Sequence, residues 1–596
     1  MKKTPINRNF LWAEAFINQL CDLGVRYACI SPGSRSAPLV ACLAKNKKVK
    51  CFVHIDERVS GFFALGIAKA TKLPVIVVTT SGTATSELYP AIIEAYQQRI
   101  PLLICTADRP PELLNTGANQ TINQWNLYRN HILWFKNVGL PELSSNRITY
   151  IKKIAIKAFT NSLNHEIGPV HLNFPFRKPL DKNSYTDEVD TSLIAEAMKP
   201  IPVQEYDNKV NVYTRKEIKQ IDRVCKKLIK YSKGLIIIGP MDYDEIFIKN
   251  IKILSNITNY PILADSVSHL RFNCSNSDQL VCSNYDAFLR SEKFKRHHNP
   301  EIVLQFGGTV TSVFLQNYIA ETKPHQFIVN KFGDKIYPSV KGSSVIKIEA
   351  NQFCEKLIVR LKKTKLKRSN NSWRMDFEKA DELLENLKIK LIKDSDIKIE
   401  PNIITTILSC ISTNTNIMVG NSLPIRDFDW FLENTEKSYQ VYFNRGASGI
   451  DGITSTALGI TSIKKSTILI TGDLSFIHDL NALLCAGKYS IPLLVILINN
   501  NGGGIFNMLP GSSKKKSFTD YFITPHNLNI SKIVNSFGLK HYIIKSNEDL
   551  KKKIDSFIHD KTFTVLELKT NATESVKFRN KYWTSAVKKI EDAFTA

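Results

Sequence analysis

The sequence lacks the features of a membrane-inserted, secreted or zinc-binding protein. No uninterrupted apolar run is longer than Leu493 to Ile498, which has the length of a buried strand, whereas a membrane-spanning helix needs about 20 apolar residues. The N-terminal segment Met1 to Pro5 has no apolar core of the kind found in signal peptides. The 11 cysteines form no Cys-x-x-Cys pair and lie mostly in apolar segments, which indicates reduced, buried thiols. We therefore expect a cytoplasmic protein without stable membrane insertion.

Acidic residues are few relative to basic ones, with 55 Asp and Glu against 80 Lys and Arg and a formal net charge of +25. Such an excess of positive charge is suited to binding nucleic acid, an anionic membrane surface or acidic substrates. The basic residues are nevertheless spread along the chain, and the runs Lys362–Arg368 and Lys514–Lys516 fall where linkers or loops are expected. No basic stripe interleaved with aromatic residues and no helix-turn-helix pattern favours a nucleic-acid partner. We predict a solvated basic surface, with association to anionic membranes as a separate hypothesis.

The chain is long enough for several cores and reads as alternating strands and helices. At 596 residues it exceeds what one core usually organises. Near-continuous apolar runs separated by amphipathic helices are typical of parallel strands buried on both faces. We predict an α/β protein with three doubly wound parallel-sheet domains, at residues 1–190, 205–362 and 385–596, and a Lys-rich linker at 362–371. The predicted strands of the first two are Tyr27–Ile30, Cys51–Ile55, Pro74–Thr79, Pro101–Thr106, Leu235–Ile238, Pro261–Ala264, Ile302–Phe306, Gln326–Val329 and Val345–Ile348.

The third domain carries the most informative pair of polar residues, Asp473 and Asn500. Between and around them we predict a strand Ser466–Ile470, a single helix Phe476–Lys488 and a strand Pro492–Ile498. A right-handed β-α-β unit places both residues at the same edge of the sheet, where oxygen ligands suit Mg²⁺ bound to a diphosphate. Each residue alone equally fits ordinary loop chemistry. The spacing nevertheless resembles the diphosphate-binding signature of thiamine-diphosphate enzymes.

Glu57 follows a predicted strand and precedes a predicted helix. Thiamine chemistry needs one carboxylic acid that hydrogen-bonds the pyrimidine ring of the cofactor, so that the cofactor can deprotonate its own thiazolium carbon. In a dry pocket the pKa of such a carboxyl is raised by desolvation, which suits proton sharing with the ring. The alternative is an exposed glutamate at a helix N-terminus, where the helix dipole favours it.

A series of motifs, in order along the chain from about residue 9 to the C-terminal region, closely resembles the MenD family of thiamine-diphosphate enzymes. They are Ser31–Leu39, His54–Arg58, Thr79–Ala84, Ala107–Leu113, Gly117–Ile122, Gly420–Arg426, Asn444–Gly452 and Asn499–Phe506. The resemblance implies a transferase of menaquinone biosynthesis, a carboligase that decarboxylates 2-oxoglutarate and adds the succinyl carbanion to isochorismate. The product would be 2-succinyl-5-enolpyruvyl-6-hydroxy-3-cyclohexene-1-carboxylate, with release of CO₂.

The same resemblance implies the cofactors, the domain roles and the assembly. The cofactors are thiamine diphosphate and Mg²⁺, with Mn²⁺ as an alternative metal. The first domain would bind the pyrimidine and carry the catalytic glutamate, the second would be a central domain, and the third would bind the diphosphate and metal. The assembly would be a homodimer or homotetramer with active sites at the subunit interface, so that Glu57 reaches the third domain of another subunit.

The site residues that the resemblance implies fall into four groups. The catalytic residues are Glu57 and Gln120, and the metal ligands are Asp473, Asn500 and the backbone carbonyl of Gly502. The cofactor-binding residues are Glu57, Ser422, Ser448, Ile450 as an apolar wedge, Asp473, Leu474, Ser475, Asn500, Gly502 and Ile505. The substrate-binding residues are Ser34, Arg35, Arg109, Asn119, Gln120, Arg426, Arg445, Phe506 and Leu509. The arginines suit dicarboxylate substrates through bidentate contacts, and the alternative for each is a structural salt bridge.

One departure from the family pattern concerns a basic pair in the central domain. Where the family carries that pair after a Phe-Gly turn, this chain has Ser312, Val313 and Phe314. Either Arg271 or Lys331 supplies the charge, or the substrate carboxylate is bound more weakly. Two other readings of function stay open, namely a related 2-oxoacid decarboxylase or carboligase with another acceptor, and a non-catalytic cofactor-binding scaffold. We assign no catalytic role to His54 or His478.

Overall fold

The computed structural model describes residues 3–164, 166–202, 214–272, 281–364, 366, 372–509 and 515–594. The predicted domain limits at residues 1, 205 and 596 lie outside these ranges, as do Cys274, Lys514 and most of the predicted linker. Among the described residues, no helix is both long and apolar enough to cross a lipid bilayer.

The first sheet has six parallel strands in the order β3-β2-β4-β5-β7-β6. The strands are β2 (Tyr27–Ile30), β3 (Lys50–Val53), β4 (Val75–Thr79), β5 (Leu102–Asp108), β6 (Trp134–Asn137) and β7 (Val170–Pro175), and β1 (Lys3–Ile6) pairs antiparallel with β8 (Asp187–Asp190). The helices are α1 (Arg8–Asp22), α2 (Ala37–Lys45), α3 (Glu57–Thr71), α4 (Thr83–Glu87), α5 (Tyr89–Gln97), α6 (Ser145–Leu163) and α7 (Thr191–Met198). Strand β3 ends before the predicted Ile55 because the next turn begins α3, where Asp56 caps the Arg58 and Val59 N–H groups.

The middle sheet is also parallel and six-stranded, in the order β11-β10-β9-β12-β13-β14. Its strands are β9 (Gly234–Ile238), β10 (Ile262–Ala264), β11 (Val281–Cys282), β12 (Ile302–Phe306), β13 (His325–Val329) and β14 (Ser344–Ile346). Its helices are α8 (Arg215–Lys230), α9 (Glu245–Thr258), α10 (Tyr285–Phe288), α11 (Glu292–His297), α12 (Val313–Thr322) and α13 (Ala350–Lys363), and α14 (Ser372–Lys393) follows. The first two residues of the predicted linker are therefore helical, and the predicted domain limit at residue 385 falls within α14.

The third sheet repeats this arrangement, in the order β16-β15-β17-β18-β20-β19. Its strands are β15 (Thr415–Val419), β16 (Tyr439–Phe443), β17 (Thr467–Gly472), β18 (Leu493–Asn499), β19 (Lys540–Ile543) and β20 (Thr564–Lys569). The helices are α15 (Glu400–Cys410), α16 (Leu423–Phe431), α17 (Ile453–Thr461), α18 (Asp473–His478), α19 (Ala482–Lys488), α20 (Lys516–Phe518), α21 (Ile530–Ser536), α22 (Asn547–Asp560) and α23 (Ala572–Ala593). Three parallel sheets with helices confirm the predicted α/β class.

The predicted single helix Phe476–Lys488 is wrong, because the structure has two short helices there, α18 and α19. The break falls at Asp479, which leaves helical geometry with φ −121° and ψ 31°. Its carboxylate instead accepts the Ser455 N–H and the Ser455 hydroxyl, both at 2.7 Å. A tertiary contact to α17 therefore ends the helix, which local sequence does not reveal.

The first and third sheets are joined within the chain by the helices α3 and α17. Glycines allow these two backbones to approach closely. A Cβ on Gly66 would lie 2.1 Å from the carbonyl oxygen of Thr456, and one on Gly459 would lie 2.1 Å from that of Phe63. This contact fixes how the loops of the two sheets lie relative to each other.

Candidate active site

Asp473 and Asn500 emerge at the same edge of the third sheet, as predicted from their spacing. Asp473 is the first residue of α18, directly after β17, and Asn500 follows β18. The two strands are parallel neighbours, with Gly472 opposite Ile498. The carboxyl ends of parallel strands are where open α/β sheets bind ligands.

Asp473 is buried and held by hydrogen bonds to both carboxylate oxygens. Oδ1 accepts the Leu474 N–H at 2.7 Å, and Oδ2 accepts the Gly502 N–H at 2.9 Å. His526 Nε2 lies 3.3 Å from Oδ2, and since His526 Nδ1 accepts the Leu528 N–H at 3.0 Å, Nε2 carries the proton and donates. Burial raises the pKa of Asp473, and these hydrogen bonds oppose the shift.

Asn500 presents a buried oxygen with no partner. Its Nδ2 donates to Glu400 Oε1 at 2.8 Å, while Oδ1 is buried and makes no hydrogen bond within the described chain. Buried polar atoms are normally paired, so an orphaned oxygen beside a buried carboxylate is what a cation site requires. Together with the backbone carbonyl of Gly502, these oxygens fit the hard-donor preference of Mg²⁺.

The protein supplies few metal ligands at this edge. The part of the chain that the structure describes contains no cluster of three or more His, Cys, Asp or Glu side chains suited to a metal. One carboxylate, one amide oxygen and one carbonyl leave several positions of an octahedral ion open. The donor set therefore fits a cation that takes its remaining ligands from a bound diphosphate and from water.

Two further loops are tied to this edge. The Asn421 amide donates to the carbonyls of Asn444 at 2.6 Å and Gly449 at 2.7 Å. The Ser475 hydroxyl donates to the carbonyl of Ile450 at 2.7 Å. Ile450 remains 37% exposed, so its side chain is available to a ligand. The turn Asn500–Gly502, with Asp473 beside it, is called the metal loop below.

The neighbouring loop residues fall at the same edge. Ser422 and Ser448 adopt the left-handed backbone region, with φ of 72° and 60°. Three apolar residues of the predicted cofactor- and substrate-binding groups lie on or next to the turn Gly504–Met508. They are Ile505, Phe506 and Leu509, and the Phe506 ring packs 5.8 Å from that of Phe522.

Arg426 on α16 and Arg445 on the loop after β16 are near enough for the charge of one to act on the other. The Arg426 guanidinium donates to the carbonyl of Ser422 at 2.7 Å. Burial lowers the pKa of Arg426, and the positive charge of Arg445 lowers it further, against an opposing effect of Asp427. Two like charges held together favour an anion between them.

Arg35 and Arg109 form a second such pair at the edge of the first sheet. Burial lowers the pKa of Arg35, with Arg109 as the next cause. Arg35 donates to the carbonyl of Phe176 at 2.7 Å, and Arg109 donates to the Ser81 hydroxyl and the Asn119 carbonyl, both at 2.9 Å. These hydrogen bonds go to neutral oxygens, while the buried Asp108 carboxylate acts on both arginines through its charge.

The remaining first-sheet residues surround this pair. Gln120 donates to the carbonyl of Ser81 at 3.3 Å, so Gln120 and Asn119 lie beside Arg109. Ser34 is exposed in the short turn that carries Arg35. Four of the predicted substrate residues are thus brought together, and Ser34 is adjacent in sequence.

Glu57 is the first residue of α3 and is half-buried. Burial raises its pKa, and the nearby charges of Asp56 and Glu87 add to the shift, while a backbone hydrogen bond opposes it. Within the described ranges of one chain, Glu57 makes no hydrogen bond or ion pair with the Asp473 loop. The adjoining Ile55 is 77% exposed, which leaves an apolar surface beside the acid.

Comparison with known proteins decides the family. Models of the thiamine pyrophosphate enzymes match three parts of the chain: the N-terminal TPP binding domain at residues 12–127, the middle domain at 201–419 and the C-terminal TPP binding domain at 432–568. A protein of Bacillus cytotoxicus is 36% identical over 97% of both chains. One of Haloquadratum walsbyi is 32% identical over 98% of this chain and 99% of its own, and one of Trichodesmium erythraeum is 34% identical over 96% and 97%. All three are named 2-succinyl-5-enolpyruvyl-6-hydroxy-3-cyclohexene-1-carboxylate synthase.

The chain belongs to this synthase family of thiamine pyrophosphate enzymes. The family prediction made from the motifs is therefore confirmed. The three matched regions also agree with the order of the three parallel sheets.

Sequence reasoning missed several residues that hold this synthase-family site together. Glu94 on α5 accepts the N–H groups of Gly446 at 2.9 Å and Ala447 at 2.7 Å, next to Arg445. Glu400 orients Asn500, and His526 donates to Asp473. Glu400 looks like an ordinary acid in the first turn of a helix, and Glu94 lies within an amphipathic helix, so no signal in the sequence marks either one.

Arg271 and Lys331, the basic residues considered as replacements for the family's basic pair in the central domain, differ in whether a substrate can reach them. Arg271 is fully buried, and its guanidinium donates to the carbonyls of Asp429 and Leu432, so its charge is not available to a substrate. Lys331 is exposed, with its ammonium 4.9 Å from the ring of Phe332. Of the two alternatives, only Lys331 can meet a ligand in this structure.

The two histidines without an assigned role behave as packing and surface residues. His54 lies 4.7 Å from the Phe63 ring, and burial lowers its pKa to about 3, so the ring is neutral at physiological pH. His478 is exposed on α18. Within the described residues, neither histidine makes a hydrogen bond to an arginine of the two pairs.

Proposed function

We propose that this chain decarboxylates 2-oxoglutarate and transfers the succinyl group to isochorismate, forming 2-succinyl-5-enolpyruvyl-6-hydroxy-3-cyclohexene-1-carboxylate in menaquinone biosynthesis. The observation that carries the proposal is the match of this chain to synthases of that name over nearly its whole length, and two pairs of arginines whose charges act on each other support it. Full-length similarity to these synthases favours neither a different acceptor nor a non-catalytic scaffold.

The metal loop would hold the diphosphate end of the cofactor. Asp473, Asn500 and the carbonyl of Gly502 would bind Mg²⁺ or Mn²⁺, which is supported by the orphaned Asn500 Oδ1. Thiamine diphosphate, when bound, would supply a nucleophilic carbon that adds to the 2-oxoacid and a thiazolium ring that takes up the electron pair released on decarboxylation. The remaining cofactor contacts would come from Ser422, Ser448, Ile450, Leu474, Ser475 and Ile505.

Glu57 would hold a proton against the pyrimidine ring nitrogen. Its raised pKa suits that role, because a carboxyl that stays partly protonated shares its proton more readily with a ring nitrogen. Gln120 would assist at the reacting atoms as a hydrogen-bond donor.

The arginines would orient the two dicarboxylate substrates. A guanidinium binds a carboxylate through two parallel hydrogen bonds, and the burial of Arg35 and the partial burial of Arg426 strengthen such contacts by excluding water. Ser34, Arg109, Asn119 and Arg445 would complete the polar contacts. Phe506 and Leu509 would form the apolar wall that keeps water from the reacting carbon.

The proposal includes a homodimer or homotetramer in the cytoplasm. Within the described residues of one chain Glu57 makes no hydrogen bond or ion pair with Asp473, and the exposed Ile55 near it suits burial against a second copy. In that assembly the first domain, at residues 1–190, would meet the third domain, at 385–596, of the neighbouring subunit. The central domain would span 205–362.

A reconstitution assay tests the function. Purified protein would be incubated with Mg²⁺, thiamine diphosphate, 2-oxoglutarate and isochorismate, and the product would be identified by mass spectrometry while each component is omitted in turn. We expect isochorismate consumption only in the complete mixture. Folded, cofactor-loaded protein that consumes no isochorismate would contradict the proposal.

A further inference from the structure

The two ends of the Asn500 amide have opposite chemistry, and only the oxygen can bind a cation. In the structure Nδ2 donates to Glu400 Oε1 at 2.8 Å, and the buried Oδ1 points elsewhere without a partner. Because a carboxylate only accepts hydrogen bonds, Glu400 requires the nitrogen end of the amide. The carboxylate of Glu400 thereby determines which end of Asn500 is left for a metal.

Glu400 is itself fixed by a buried arginine. It is the first residue of α15 and is 1% exposed. Its Oε2 accepts from Arg579 Nη2 at 2.5 Å, and its Oε1 also accepts from the Thr570 hydroxyl at 3.2 Å. Arg579 is fully buried on α23 and donates through Nε to Asp427 at 2.8 Å. A guanidinium can only donate hydrogen bonds, so the donor and the acceptor in each contact from Arg579 through Glu400 to Asn500 are fixed.

The backbone confines the same amide from its other side. A Cβ on Gly504 would lie 2.4 Å from Asn500 Nδ2, so the chain passes too closely for the amide to move aside. The adjoining Asn501 exchanges hydrogen bonds of 2.8 and 2.9 Å with Asn527. The amide is therefore closely packed, and rotation in place, which exchanges its oxygen and nitrogen, needs the least movement of its surroundings.

We propose that Glu400, anchored by Arg579, is a positioning residue for the metal site, which holds Asn500 with Oδ1 toward the divalent cation. This rests on the proposed function, because it requires a cation at Asp473 and Asn500. The same network reaches Asp427, the neighbour of Arg426, so it also ties the metal loop to α16.

The substitution Glu400→Gln tests the polarity directly. The introduced amide must face its oxygen to Arg579, which only donates, and its nitrogen to Asn500. Asn500 then has to rotate and accept that N–H through Oδ1, which leaves its NH₂ group toward the cation. Loss of an outer-shell partner typically weakens metal binding 10- to 100-fold, and we expect a loss in that range.

A second substitution should restore binding. In the Glu400→Gln background, Asn500→Asp provides one oxygen for the introduced amide N–H and a second oxygen for the cation. We expect this double variant to bind metal within about 10-fold of the wild type. An added carboxylate raises metal affinity by itself, so the inference requires the double variant to bind metal more tightly than Asn500→Asp alone, in which two carboxylates face each other.

Glu567→Gln is the matched control. Asn499 donates to Glu567 Oε1 at 2.7 Å, which reproduces the Asn500–Glu400 contact one residue earlier. The second oxygen of Glu567 meets His541 Nε2 at 2.8 Å, and a neutral histidine can change from donor to acceptor. The introduced glutamine can then keep its oxygen toward Asn499, so metal affinity should stay near the wild-type value.

The readout is Mn²⁺ affinity, measured by electron paramagnetic resonance at saturating thiamine diphosphate, with circular dichroism as the check on folding. Wild-type protein that takes up no Mn²⁺ would contradict the proposed metal site. Wild-type uptake with an unchanged Glu400→Gln affinity would overturn the inference alone. If the single variant does not fold, the double variant decides by binding or failing to bind Mn²⁺. If neither folds, a crystal structure of the loaded wild type decides: the inference requires Asn500 Nδ2 on Glu400 and Oδ1 on the metal, and any other arrangement overturns it.

Discussion

Replacing Glu94 on α5 tests how the first domain positions the loop that carries Arg445. Its carboxylate is 3% exposed, and each oxygen accepts one backbone N–H, from Gly446 at 2.9 Å and from Ala447 at 2.7 Å. In Glu94→Gln the introduced amide has one oxygen and one NH₂ group. The NH₂ group would face a backbone N–H, so one buried donor loses its partner.

The magnitude follows from that lost contact. A buried donor left unsatisfied costs about 1–3 kcal/mol, and hydrogen bonds to charged groups lie at the upper end of the range. Lys69 adds to the cost of the substitution. It is buried nearby, and in the variant its protonated form loses the stabilising charge of Glu94. We therefore expect local opening of the loop to become easier by about 2–3 kcal/mol, which corresponds to roughly 30- to 150-fold faster exchange.

Hydrogen-exchange mass spectrometry of the peptides covering residues 443–452 measures this directly. The KM for the substrate bound by Arg445 should also rise, since the loop no longer holds that arginine in place. Glu14→Gln is the control, because Glu14 forms a surface ion pair with Lys45 at 3.1 Å, and such pairs contribute about 0–1 kcal/mol. Exchange in Glu94→Gln within threefold of the wild type would refute the reasoning.

Three further predictions follow from the same structure. Glu57→Gln should abolish most turnover while thiamine diphosphate binding, measured by calorimetry, persists; an unchanged rate would remove the proton role. Burial lowers the pKa of Lys69 from 10.5 to about 7, so the unfolded chain binds more protons between those values and this group's contribution to stability rises with pH there. Lys69→Met should flatten the pH dependence of the thermal midpoint over that window, and an unaltered profile would contradict the assignment. Gly459→Ala should destabilise the chain by about 1–3 kcal/mol, because its Cβ would lie 2.1 Å from the Phe63 carbonyl oxygen, whereas Gly487→Ala, with 3.6 Å to its nearest neighbour, should not.

The sheets and the metal loop could be predicted because their signals are local. A buried parallel strand appears in the sequence as an apolar run, and a polar residue directly after it lies at the carboxyl edge of the sheet. These two rules were sufficient to predict that Asp473 and Asn500 lie at the same edge. The motifs then identified the family, which the comparisons confirm. The roles of individual site residues remain predictions that the assays above test.

The supporting contacts could not be predicted because they join distant parts of the chain. Glu400 is 100 residues from Asn500, and Glu94 is 352 residues from Gly446. Each is a glutamate in a helix, where a solvent-exposed position is the ordinary expectation. The break after α18 has the same origin, since the carboxylate of Asp479 bonds to Ser455 on α17. Contacts between distant parts of the chain determine these features, so they cannot be predicted from composition or from the spacing of residues.

The most direct test of the central claim is the fate of labelled carbon in the complete reaction. With 2-oxoglutarate labelled at its 1-carboxyl carbon, the account predicts that the label leaves as CO₂ in step with isochorismate consumption. With label in the remaining carbons, it predicts that the label appears in 2-succinyl-5-enolpyruvyl-6-hydroxy-3-cyclohexene-1-carboxylate. Release of labelled CO₂ without transfer of the succinyl carbons to isochorismate would contradict it.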